Sequence, residues 1–149
     1  MSTVTEKSLT AAHAEVKAEI ARTDTKTALL LAFVGAVLAG AWTVARDLSL
    51  HTAASIVGGT GMGVLIAAAG LLLRSVRPNL SGRHGFPLWA TLTAEEITAA
   101  VQRDMAADIA GLSRLAVAKF TYLRRAVDLI CAGGLLLILT ALIAAGGAL

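Results

Sequence analysis

TALLLAFVGAVLAGAWTVA, residues 27–45, carries no charged side chain and decides how the rest of the chain must be read. As an α-helix it rises about 28 Å, close to the ~30 Å hydrocarbon core of a bilayer. Two further stretches repeat the pattern. LSLHTAASIVGGTGMGVLIAAAGLLL occupies 48–73, with His51 near its start, and LICAGGLLLILTALIAAGGAL occupies 129–149. In lipid a backbone must satisfy its own hydrogen bonds, so each stretch is expected to be a helix. The predicted spans are 27–45, 52–73 (trimmed, because the uncharged run is longer than a crossing needs) and 128–148.

Composition agrees. Of 149 residues, 56% are hydrophobic and 15% charged, and the mean hydropathy is +0.74. A soluble domain carries about 25% charged and about 45–50% apolar residues. Disorder, a collagen-like repeat and a disulfide scaffold are excluded, since Cys131 is the single cysteine. The excess is in Ala, Leu, Val and Gly, with aromatics at 4%. Ala39-Gly40-Ala41 looks like a signal-peptidase site, but the 26 residues before the first run hold four basic and four acidic side chains. A signal peptide has a short, positive start, so an uncleaved anchor is expected.

Lys and Arg counts orient the spans. Lys7, Lys17, Arg22 and Lys26 precede the first, and Arg46 alone lies in the turn to the second. Residues 74–128 hold Arg74, Arg77, Arg83, Arg103, Arg114, Lys119, Arg124 and Arg125, and the tail after the third span holds no base. The N-terminus and 74–128 are therefore expected in the cytoplasm, with the 46–51 turn and Leu149 outside.

The cytoplasmic part reads as helical. Ile97, Val101, Met105, Ile109, Leu112, Ala116, Phe120, Leu123 and Val127 recur at the helical period, predicting one helix over 93–127. Thr93 with Glu96 forms a capping-box pattern at its start, and nothing breaks it before the third span. In 1–26, Leu9, Ala12, Val16 and Ile20 form a second stripe, with Glu15, Lys17, Glu19 and Arg22 elsewhere. The stripes are expected to pack together, within one chain or between subunits. The loop 74–92 holds Pro78, Pro87, Gly82 and Gly85, with Phe86, Leu88 and Trp89 placed at the lipid interface or over the bundle. The expected fold is an all-α integral membrane protein: three transmembrane helices with a cytoplasmic helical bundle, the long helix 93–127 continuous with the third span.

No catalytic set converges, so no enzyme activity is expected. His13, His51 and His84 lie far apart without zinc-site spacing, so no metal is expected. GGTGMG at 58–63 lacks the lysine of a phosphate loop and lies inside an uncharged span. Gly59 and Gly63 read better as a small-xxx-small packing pair, which suggests a homo-oligomer. The spans hold no Asp, Glu, Lys or Arg, unlike those of proton-coupled transporters.

Polar residues gather at the inner boundary. Asp24 and Lys26 precede the first span, and Lys119, Tyr122, Arg124, Arg125 and Asp128 precede the third. One reading is interfacial anchoring, with Arg124 and Asp128 spaced for an i,i+4 ion pair. The other is a ligand site in which the cations hold a phosphate and Tyr122 stacks on a base.

ARTDTKTALLLA (21–32), RPNLSG (77–82) and LAVAKFTYLRRAVDLI (115–130) together resemble the Pycsar transmembrane effector family, over roughly 20–147. That family's loose pattern has an Ala-Asp-x-Lys-Ala step into the first span and a Lys-aromatic-x-x-Leu-Arg helix into the last. Asp24 and Lys26 match the first step, whereas Thr23 and Thr27 stand where it has alanine. Lys119, Phe120, Leu123 and Arg124 fit the second. The resemblance implies an inner-membrane protein of bacterial anti-phage defence. A separate cyclase makes a cyclic pyrimidine nucleotide (cCMP or cUMP), which the effector senses before impairing the membrane. The candidate ligand residues are those of the boundary cluster, Asp24, Lys26, Lys119, Tyr122, Arg124 and Arg125. The implied partners are the lipid bilayer, the cyclase and further copies of the chain, with no nucleic acid and no resident cofactor. The alternative is a constitutive membrane adaptor that docks a cytoplasmic partner through its bundle; a small channel or transporter ranks below both.

Overall fold

The computed structural model describes residues 2–47, 51–77, 88, 90–97 and 105–146. Its elements are α1 (Ser2–Asp47), α2 (Thr52–Val76) and α3 (Met105–Gly146), with no strand among the described residues. All three helices are long and apolar enough to cross a membrane.

The amphipathic segment 1–26 and the span 27–45 are not separate elements. Both lie in α1, 46 residues without a break. Residues 21–30 (ARTDTKTALL) contain neither Pro nor Gly, so nothing interrupts the hydrogen-bond ladder. Thr23 and Thr25 reinforce it, their hydroxyls donating to the carbonyls of Glu19 at 2.8 Å and Ala21 at 3.1 Å. In α3 the helix likewise passes 127 and 128 without a break. Of the helix expected over 93–127, the structure describes a turn at 94–97 and everything from Met105; residues 98–104, with Val101, lie outside the described residues. So do Pro78, Gly82, Gly85, Phe86, Pro87 and Trp89 of the loop. The capping box at 93 is formed: Glu96 Oε2 accepts from the Thr93 backbone N–H at 2.9 Å and from its hydroxyl at 3.0 Å.

The chain divides into two compact units, Met1–Thr25 with Arg77–Phe120, and Lys26–Val76 with Thr121–Leu149. In the first, Leu9, Ala12, Val16 and Ile20 of α1 are half-buried, as are Met105, Ile109, Leu112 and Ala116 of α3. The expected α3 stripe then drifts. Lys119 turns inward, its side chain only 15% exposed, while Phe120 is exposed. A strict three-four spacing slips round a 3.6-residue helix, and the Asp24 carboxylate gives the lysine a reason to face in.

In the second unit, α2 runs antiparallel to α3. A Cβ added at Gly58 would stand 3.0 Å from the Thr140 methyl, and one at Gly61 would stand 3.0 Å from Leu136 Cβ. At Gly133 it would meet Leu65 at 2.8 Å and the Gly61 carbonyl at 3.1 Å. Gly61 and Gly133 are thus glycines because the two backbones touch there. Gly59 and Gly63 do not supply this contact: both are exposed, with nothing within 4 Å of an added Cβ. One residue of helical phase separates the glycines that face the chain from those that face away. Leu72, Leu123 and Ala126 form a core cluster, with Leu30 and Leu31 of α1 packed against it. The outer surface is apolar, with Leu29, Phe33, Ile56, Ile66, Leu135, Ile138 and Leu142 all more than half exposed. A water-soluble monomer does not present such a surface; a bilayer solvates it.

Candidate functional site

The helices place the boundary residues by phase. In the first unit, α1 carries Asp24 toward α3. Lys119 Nζ donates to Asp24 Oδ1 at 2.5 Å, joining residues 95 apart in the chain. The lysine side chain is mostly buried while the aspartate remains 42% exposed, so solvent reaches the pair from the carboxylate side. Arg22 meets Glu19 at 3.5 Å, an exposed contact within one turn, worth little on its own.

The second unit holds Lys26, Tyr122, Arg124 and Arg125. Tyr122 is half-buried; Lys26, Arg124 and Arg125 are exposed. None of the three cations forms an ion pair among the described residues, and Arg124 does not take up its i,i+4 spacing with Asp128. The structure therefore brings Asp24 and Lys119 into contact and leaves the remaining cations uncommitted.

Ser75, on the last turn of α2, was not singled out by the sequence. It is 4% exposed, and its hydroxyl lacks a hydrogen-bond partner among the described residues. Helical hydroxyls commonly donate to the carbonyl four residues back, as Thr23, Thr43, Thr60 and Thr140 do here. An unsatisfied buried hydroxyl costs about 1–3 kcal/mol. Ser75 lies one turn beyond Leu72, which puts it near the level of Leu123 on the antiparallel α3. A serine that directly follows Arg74 at the end of an apolar run gives no sign in sequence of being buried.

At the far ends of α1 and α3, a cavity of about 500 Å³ is lined by Gly40, Ala41, Val44, Ala45, Met62, Leu137, Thr140, Ala141, Ala144 and Ala145. Its lining hydroxyl, Thr140, is spent on the Leu136 carbonyl at 2.8 Å. An ordered water needs two to four polar partners, and this apolar lining favours hydrocarbon instead.

These features define a class: a small helical membrane protein whose three long helices each contain an apolar, span-length stretch. Within that class the chain belongs to the Pycsar effector family, the Pycsar effector protein domain matching residues 8–146. No curated protein and no solved structure matches it. Membership implies a role in anti-phage defence and a cyclase as functional partner. The two departures from the family's entry step now have a structural reading. Thr23 and Thr27 are 1% and 0% exposed, so those positions demand a small side chain, and threonine meets that demand as alanine does.

Proposed function

We propose that this protein senses a cyclic nucleotide in the cytoplasm and responds by impairing the bacterial inner membrane. The observation that carries the reading is the set of uncommitted cations, Lys26, Arg124 and Arg125, with half-buried Tyr122 in the same unit. A cyclic phosphate carries one negative charge and two free oxygens that an arginine fork can grip. A phenol ring supplies a stacking face for a base. The first unit holds a candidate of its own, Lys119, paired at rest with Asp24. The ligand is a cyclic pyrimidine nucleotide, cCMP or cUMP, made by the separate cyclase; the protein is not an enzyme and holds no metal or resident cofactor.

Charge bias supports an N-terminus and 74–128 segment in the cytoplasm, with the 46–51 turn and Leu149 outside. Gly59 and Gly63 support self-association. They leave an exposed face of small residues on α2 where a second copy's backbone can approach closely. A ligand can shift such a protein only by binding one of its states better than the other.

The test is dye release from liposomes holding the full chain, with cCMP, cUMP, cAMP and cGMP added separately. Release by one pyrimidine nucleotide is the expected result. Arg124→Ala and Lys119→Ala are each expected to raise the half-activating concentration about tenfold or more, as charge-assisted bonds to phosphate are lost. Silence with all four nucleotides, together with a stable co-purifying cytoplasmic protein, overturns the reading in favour of the adaptor.

A further inference from the structure

We propose that Asp24 is a built-in competitor for the anionic ligand: it holds Lys119 in the resting chain, and activation requires that it let go. The inference rests on the reading above for the ligand's identity, but the latch itself rests on geometry. The hydroxyl bonds of Thr23, Thr25, Thr43, Thr60 and Thr140 all stay within one turn of their own helix. The Lys119–Asp24 bond instead ties α1 to α3. Lys119 occupies the inward position that the apolar stripe would give to Phe120, and its side chain is 15% exposed.

An ammonium on a side chain that is mostly buried loses by having no anion beside it. It must keep Asp24 or exchange it for another negative group. A phosphate is the better partner, since it offers more acceptor oxygens than a carboxylate. The exchange is feasible because the carboxylate is 42% exposed. The pair can therefore open toward solvent without unpacking the buried lysine stem. α1 and α3 both continue into spans, so the contact that is exchanged lies on the two helices that enter the membrane.

The energetics follow population-shift logic. A ligand that needs a free Lys119 binds with an apparent affinity reduced by the fraction of chains already unlatched. Removing the carboxylate's charge lifts that reduction. Asp24→Asn is nearly isosteric and retains hydrogen-bonding capacity, so it removes the charge with little change in packing.

The experiment uses full-length protein in liposomes, with wild type, Asp24→Asn, Lys119→Met and the charge exchange Asp24→Lys with Lys119→Asp, each checked for helicity and homogeneous size in detergent. Asp24→Asn is expected to leak dye without nucleotide, or to need about fivefold less cCMP or cUMP than wild type. The charge exchange is expected to be quiet at rest, with the pair restored, and unresponsive, with the cation misplaced. An Asp24→Asn protein that is folded, quiet at rest and activated at the wild-type dose overturns the latch. A charge exchange that is activated like wild type overturns it too, because the pair is then merely structural. If wild type ignores every nucleotide while Asp24→Asn leaks, the latch stands and the nucleotide reading falls. If wild type responds and Asp24→Asn does not differ, the reverse holds.

Discussion

Glu96 shows how a single exposed residue can be read from bond to titration curve. The Thr93 backbone N–H, and then its hydroxyl, stabilise the carboxylate form and hold the Glu96 pKa below 4.5. A group whose folded pKa is depressed adds stability above its unfolded value and loses it as pH falls through the folded one. The cap at 93 is therefore intact at neutral pH and is released only in acid. An NMR titration is expected to place the Glu96 midpoint below 4.5, and Thr93→Val to move it upward. Gly133 makes the opposite kind of statement, about space. A methyl there meets Leu65 at 2.8 Å and the Gly61 carbonyl at 3.1 Å, whereas at neighbouring Gly134 it meets nothing within 4 Å. Gly133→Ala should destabilise by about 1–3 kcal/mol through overpacking. Gly134→Ala should be neutral or stabilising by up to ~1 kcal/mol. Thermal unfolding in detergent, followed by circular dichroism, reads both.

At the scale of elements, the spans were legible because lipid leaves the chain few options: a long run without charge must be a helix. Its phase was less legible. In GGTGMG every rotation offers a small pair, so Gly59 and Gly63 looked as good as Gly58 and Gly61 until α3 fixed which side faces inward. The slip from Phe120 to Lys119 has a related cause. A hydrophobic-pattern reading assigns the inward position to the ring, while the structure gives it to the residue with a long-range partner, 95 positions away. Within the boundary cluster the residue types were visible, but their commitments were not: Lys119 is taken and Arg124 is not. The apolar cavity was invisible because small residues in a span look alike whether they are packed or not. Filling it should tighten the ends of α1 and α3. Ala141→Leu is expected to raise stability by about 0.5–2 kcal/mol, seen as a higher unfolding midpoint, with the response to nucleotide blunted.

For the whole molecule, the prediction concerns copies. Because a Cβ added at Gly63 meets nothing within 4 Å among the described residues, Gly63→Leu should leave the monomer fold intact and remove close self-association. Cross-linking in membranes is expected to show oligomers for wild type and mainly monomer for the variant, with unchanged helicity. The tight crossing at Gly61 and Gly133 also has a mechanical consequence. Leu65 seated over Gly133 acts as a fulcrum, and α2 is the beam that rests on it. One arm reaches Ser75, about 15 Å away, and the other reaches Thr52, about 20 Å away. A sideways push on the short arm swings the long arm the other way and magnifies the movement by about a third. The short arm ends at a hydroxyl that gains by being uncovered, and Met62, near the pivot on the long arm, borders the apolar cavity. Small movements at the Ser75 end of α2 thus arrive larger at its Thr52 end.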